Sequence, residues 1–263
     1  MSDIATDTAT SGKTAIILGS TGAVGKPLLA QLLADASYTA VYSFVRRNNP
    51  ASLPPVGPGK EYKEILLDFD KLHAGDADEA AKLASVDPHT LFITLGTTRA
   101  QAGSFEAFEK IDRGYVLAAA RAVGKRNAPT VVYCSSGMSA STSRFPYLKS
   151  KGLTEEGLAS IFPTTIILRP GFLANANREN PRVLERISEP LFHALSYLNS
   201  NLLCPVHHVA TGMIRAAALG PHSLVQSGFA HPPPASFRLE NASPDSVAVV
   251  QNSQILQLLR RQS

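Results

Sequence analysis

The sequence predicts an α/β fold, a doubly wound parallel sheet with a small C-terminal lobe. Three observations carry this expectation. Short apolar runs alternate with helical patterns from Lys13 to Gly171. Several of those runs are continuous rather than alternating in and out, as strands covered on both faces must be. A glycine-rich stretch, GSTGAVG at 19–25, stands between the first run and the first helical pattern.

The elements follow in order. KTAIIL (13–18) reads as a buried strand, and PLLAQLLAD (27–35) as a helix with Leu28, Leu29, Leu32 and Leu33 on one face. Pro27 is compatible with a first helical turn, where an N–H has no intrahelical partner, so that helix is expected to begin near Val24. TAVYSFV (39–45) is a second strand, and RRNNPASLPPVGPG (46–59) is a surface loop. EILLDFD (64–70) reads as a third strand ending in acids, residues 72–85 as an Ala-rich helix, and TLFITLG (90–96) as a fourth strand. A long helix is expected from Phe105, with apolar positions at 108, 111, 115, 118 and 119. A fifth strand (130–134) runs into Ser135 and Ser136, a helix opens near Tyr147, and TTIILRPG (164–171) is a sixth strand. Helices are expected at 182–200 and from Val206, then a proline-rich connector and a C-terminal helix or strand–helix at 246–262. Residues 1–12 read as a disordered polar arm, 13–263 as one domain, and 172–263 as contributing the small lobe.

Composition narrows the function. The chain has 263 residues, 44% hydrophobic and 17% charged, which suits one domain with a sizeable core. A net charge of +4 is mildly basic, but the cations are scattered and Trp is absent, so no nucleic-acid surface is expected. Cys134 and Cys204 lack the spacing of a metal clamp and read as buried thiols of a reducing compartment. No metal site, cleaved leader or spanning helix is expected. The stretch LFHALSYLNSNLL (191–203) could offer an apolar face to lipid, but packing in the lobe accounts for it better.

The chemistry gathers at the predicted strand ends. Strand, G-x-x-G-x-x-G and helix together aim backbone N–H groups and a helix N-terminus at one point, which suits an anion. Gly19 would allow the turn, Gly22 the approach of a pyrophosphate, and Gly25 close packing of helix on strand, a Rossmann-type arrangement. After the second strand, where an NAD site usually carries an acid, stand Arg46 and Arg47. An arginine can clamp a 2′-phosphate, which points to NADP(H). Asp68, at the end of the third predicted strand, either meets an adenine edge or is a helix N-cap or a solvated acid. Ser135 and Ser136 precede Tyr147 and Lys151, whose i, i+4 spacing puts phenol and ammonium on one helix face. A nearby ammonium favours phenolate, and such a tyrosine can move the proton that accompanies hydride transfer.

With these motifs assembled, the chain resembles the short-chain dehydrogenase/reductase superfamily. More narrowly it is similar to the atypical branch that contains the HIV Tat-interacting-protein oxidoreductase and fungal relatives at the mitochondrial outer membrane. The residues that carry the resemblance are GSTGAVG, the arginine pair, Asp68-Phe69, LGTTRAQAG (95–103), IDRGYVLAAA (111–120), CSSGMSA (134–140), YLKSK (147–151) and LRPGFL (168–173). It implies NADP(H) held by Gly19, Ser20, Thr21, Gly22, Ala23, Val24, Gly25, Arg46, Arg47, Asp68 and Phe69. Leu95, Gly96, Thr97, Thr98, Ser135, Tyr147, Lys151, Pro170 and Gly171 complete the implied cofactor site. Ser136 (or Ser135), Tyr147 and Lys151 are the implied catalytic set, acting on a small carbonyl or alcohol. Many superfamily members carry an asparagine on the helix after strand four as part of a proton relay; here stand Ile111, Asp112 and Arg113. The branch also allows a non-catalytic NADPH-binding regulator or scaffold. The expected location is cytoplasmic, either free or peripheral on the mitochondrial outer membrane. The substrate and the oligomeric state are left open.

Overall fold

The computed structural model describes residues 12–48, 54–124, 129–174, 203–240 and 242–260. Among the described residues nine strands run in chain order: β1 Lys13–Leu18, β2 Tyr38–Val45, β3 Glu61–Leu66, β4 Thr90–Ile93, β5 Thr130–Cys134, β6 Thr164–Arg169, β7 Phe172–Ala174, β8 Leu203–Pro205 and β9 Val247–Gln251. Seven of them form one parallel sheet in the order β3-β2-β1-β4-β5-β6-β9, and β7 pairs with β8 separately. Strands are added outward from β1 on one side and from β4 on the other, so the order of winding switches between β1 and β4, the place where open parallel sheets form a crevice at the strands' carboxyl ends.

Alternation along β1 shows why both faces need helices. Ala15 and Ile17 pack with Leu28, Leu32 and Leu33 of the helix Gly25–Ala34, and with Val209 and Met213 of the helix Val206–Gln226. Ile16 and Leu18 face the opposite layer, with Leu83, Val116, Ala119 and Leu158. That layer holds the helices Phe69–His73, Ala77–Ala84, Val116–Val123 and Pro146–Ile161.

Several boundaries differ from the sequence reading, each for a local reason. The third strand is Glu61–Leu66, not 64–70. It is an edge strand with a part-exposed face, so its polar residues alternate and an apolar run does not mark it. Asp68 lies beyond it and caps the next helix, accepting from the Lys71 N–H at 3.0 Å. The helix expected at 72–85 is two, parted at Gly75 (φ +92°) and restarted by Asp76, which accepts from the N–H groups of Asp78 and Glu79. The rod from Phe105 contains a π-helical turn, Lys110–Tyr115, between α-helical Phe105–Glu109 and Val116–Val123. The chain from Leu203 onward also joins the main body, because β9 pairs with β6 and the helix Asn252–Arg260 buries Ile255 and Leu258 in the same core. Residues 1–11 of the expected arm at 1–12, the expected helix at 182–200, and the apolar stretch 191–203 up to residue 202 lie outside the described residues.

Ile255 tests this C-terminal contribution. It is fully buried between the C-terminal helix and the core that contains Leu168 and Met213. Ile255→Ala is expected to lower stability by about 2–5 kcal/mol, read as a reduced urea midpoint with an unchanged slope.

Candidate active site

The loop after β1 is a tight turn closed by the protein's own backbone. Gly19 has φ +92°, and a Cβ on it would sit 2.6 Å from the Leu95 nitrogen. A Cβ on Gly25 would lie 1.9 Å from the Gly19 carbonyl oxygen. The Gly22 N–H donates to that same carbonyl at 3.0 Å, leaving Thr21 and Gly22 exposed at the apex. Val24 precedes the first helical residue, so the helix begins where the sequence placed it. In its first turn Pro27 has no N–H, and the Lys26 and Leu28 N–H groups donate back to the Gly22 and Val24 carbonyls at 3.0 and 3.1 Å. Ser20 is buried, with a hydroxyl that has no partner among the described residues. An open turn, an unpaired buried hydroxyl and a helix start are together a fitting cradle for a pyrophosphate.

Arg46 and Arg47 are exposed at the carboxyl end of β2, next to β1. Phe69 is buried against Tyr115, with ring centroids 5.6 Å apart. Leu95 is half-buried after β4, while Gly96, Thr97 and Thr98 continue the rim. Pro170 and Gly171 close the edge beyond β6. The Pro170 carbonyl accepts from the Gly137 N–H at 2.9 Å, and the Gly171 N–H donates to Asn252 Oδ1 at 2.9 Å.

The two serines after β5 separate clearly. Ser135 is buried, and its hydroxyl donates to Glu155 Oε1 at 2.5 Å. Glu155 is held from the other side by Arg169, whose Nε and Nη2 reach its two oxygens at 3.0 and 2.5 Å. Ser135 is thus engaged in a buried ionic network. Ser136 is half-buried at the mouth, where its carbonyl accepts from the Ser139 hydroxyl at 2.7 Å.

Tyr147 and Lys151 share one face of the helix Pro146–Ile161 but differ in depth. Tyr147 is 40% exposed, with its ring 5.5 Å from that of Phe108, while Lys151 is 5% exposed. The Lys151 ammonium donates to the Tyr133 hydroxyl at 3.1 Å and lies 3.0 Å from Asp112 Oδ2. Burial opposes the ammonium, but Asp112 outweighs it with help from Tyr133 and Tyr147, so Lys151 stays protonated well above the usual lysine range. Asp112 is fully buried in the π-helical turn, and its Oδ1 accepts from the Thr97 N–H at 3.2 Å. A Cβ on Gly96 would fall 2.9 Å from Asp112 Oδ1 and 3.4 Å from the Lys151 ammonium. Loop, lysine and aspartate are therefore in direct contact. Burial pushes the Cys134 thiol up to about 11 and Cys204 up to about 12, so both are unreactive thiols near neutral pH.

Asp112, Tyr133, Glu155 and Arg169 escaped the sequence reading as site residues. A signal existed for two of them. Asp112 lies four residues from both Phe108 and Val116 on the apolar stripe, and Glu155 repeats the Tyr147–Lys151 spacing once more.

No protein-family model matches the chain. Protein FMP52-1, mitochondrial, of Scheffersomyces stipitis is 34% identical over 175 residues, covering 66% of this chain and 73% of that protein. The chain belongs to the FMP52 family. Its fold is that of solved short-chain dehydrogenase and epimerase structures. The nucleoside-diphosphate-sugar epimerase of Agrobacterium tumefaciens superposes with a TM-score of 0.59 at 16% identity, over 94% of this chain and 84% of that one. BdcA, solved in complex with NADPH, gives 0.55 at 16% identity, over 92% and 94%.

The two serines make opposite predictions. Ser135→Ala is expected to cost about 1–3 kcal/mol, since it strips a bond from a buried carboxylate. Ser136→Ala is expected to stay within about 0.5 kcal/mol of the parent, both read by urea unfolding.

Proposed function

We propose that this FMP52-family protein is an NADP(H)-dependent oxidoreductase that acts on a small carbonyl or alcohol substrate. The observation that carries the reading is the charged, buried Lys151 beside the part-exposed Tyr147, at the strand edge that also bears the glycine turn. A non-catalytic nucleotide binder has no need of a buried cation beside an accessible phenol. The NADPH complex of BdcA, on the same fold, supports the choice of cofactor.

In this reading residues 19–25 hold the pyrophosphate, and Arg46 with Arg47 meet the 2′-phosphate. Asp68, Phe69, Leu95, Gly96, Thr97, Thr98, Pro170 and Gly171 line the rest. A nicotinamide bound there would be the source or the acceptor of the hydride. Tyr147 gives its phenolic proton to the substrate oxygen in reduction and takes one back in oxidation. Lys151 carries the positive charge that steadies the phenol's conjugate base. Ser136 orients the oxygen, because Ser135 is engaged with Glu155.

The mitochondrial names of the relatives support the same organelle for this chain, and a peripheral place on its outer membrane is the finer part of the proposal. Among the described residues no helix is long and apolar enough to cross a membrane.

Two measurements test the assignment. With NADPH and a panel of aldehydes and ketones, Tyr147→Phe is expected to lose on the order of a hundredfold or more in turnover while still binding NADPH. Unaltered turnover in that variant, or none in the parent, would remove Tyr147 from the mechanism. Arg46→Glu is expected to weaken NADPH on the order of tenfold or more and to leave NADH unchanged, as read by calorimetry.

A further inference from the structure

We propose that Asp112 is a positioning residue for this site, the buried counter-charge that fixes the Lys151 ammonium and offsets its field at Tyr147, suiting the site to donate a proton to a carbonyl oxygen. The inference rests on the Tyr147–Lys151 reading above and adds to it a role for Asp112 and a preferred direction.

The geometry carries the argument. Asp112 has no exposed surface, and its two oxygens are divided between the Lys151 ammonium at 3.0 Å and the Thr97 N–H at 3.2 Å. A carboxylate is costly to bury unless paired, so its place opposite a buried lysine is mutual compensation. The π-helical turn Lys110–Tyr115 brings it there, and turns of this kind recur at functional sites. The Thr97 bond also ties the pair to the rim expected to line the cofactor.

The groups facing Lys151 come from every element packed around it. They are Asp112 from the π-helical turn, Tyr133 and Cys134 from β5, and Tyr147 and Glu155 from its own helix. Glu155 is already matched by Arg169. Among these, Asp112 is the one carboxylate in direct contact with the ammonium. A paired lysine stabilises a phenolate less than a bare one does. Such a tyrosine is better suited to deliver its proton than to remove one from an alcohol.

Two arms test this. In the protein without cofactor, isotope-edited NMR of the lysine ammonium groups, with Lys151→Met to assign the signal, follows protonation of Lys151 against pH. The parent signal is expected to stay protonated beyond the ordinary lysine range, and in Asp112→Asn to lose its proton at lower pH. Kinetically, Asp112→Asn is expected to move the pH profile of alcohol oxidation toward acid by about one unit. Asp112→Glu, which retains the charge, is expected to keep the parent profile at a reduced rate. A Lys151 that deprotonates within the ordinary range in the parent overturns the proposal, and that measurement needs no variant to fold. A folded Asp112→Asn with the parent's profile also overturns it. If Tyr147→Phe turns over like the parent, the enzyme reading fails, while the NMR arm still decides whether Asp112 governs Lys151.

Discussion

The ammonium of Lys151 sits almost wholly out of water, and a charge in that position needs partners on every side. Asp112 and Tyr133 supply them, and the Thr97 N–H after β4 holds Asp112 by its other oxygen. Each comes from a different segment, so satisfying one charge fixes the relative positions of the π-helical turn, β5, the rim after β4 and the Tyr147 helix. Truncating one member of such a pair strands the other, at about 3–5 kcal/mol. The phenol of Tyr147 then stands at a defined depth above a charge that cannot wander.

A second buried pair, Glu155–Arg169, lies one helical turn further along. It joins the Tyr147 helix to β6 and draws in Ser135 from β5. The two networks divide the labour of the strand ends. One holds the frame and engages Ser135; the other faces the crevice. Ser136, one residue on, is left at the mouth because successive residues leaving a strand point to opposite sides.

The glycine turn completes the edge by backbone contact alone. Its first and third glycines are demanded by the protein's own atoms at Leu95 and at the turn's carbonyl, so the shape of the turn is fixed by the fold itself. A backbone fixed in advance lowers the ordering cost of the binding proposed there.

The alternation of apolar runs and helical patterns determined the sheet, and the glycine spacing, Arg46–Arg47 and the Tyr147–Lys151 interval marked the edge proposed to hold the chemistry. These signals are local, confined to one element or one turn, and a linear reading captures them. The edge strand at 61–66 was displaced in that reading because half its face meets water. The seventh strand was left undecided because Val247–Gln251 acquires its identity only by pairing with β6. Asp112 opposite Lys151, and Ser135 bound to Glu155, were decided by tertiary structure alone. Partners 39 and 20 residues apart in the chain meet only when helices pack on the sheet, and burial, which no single segment encodes, is what obliges a charge to find one.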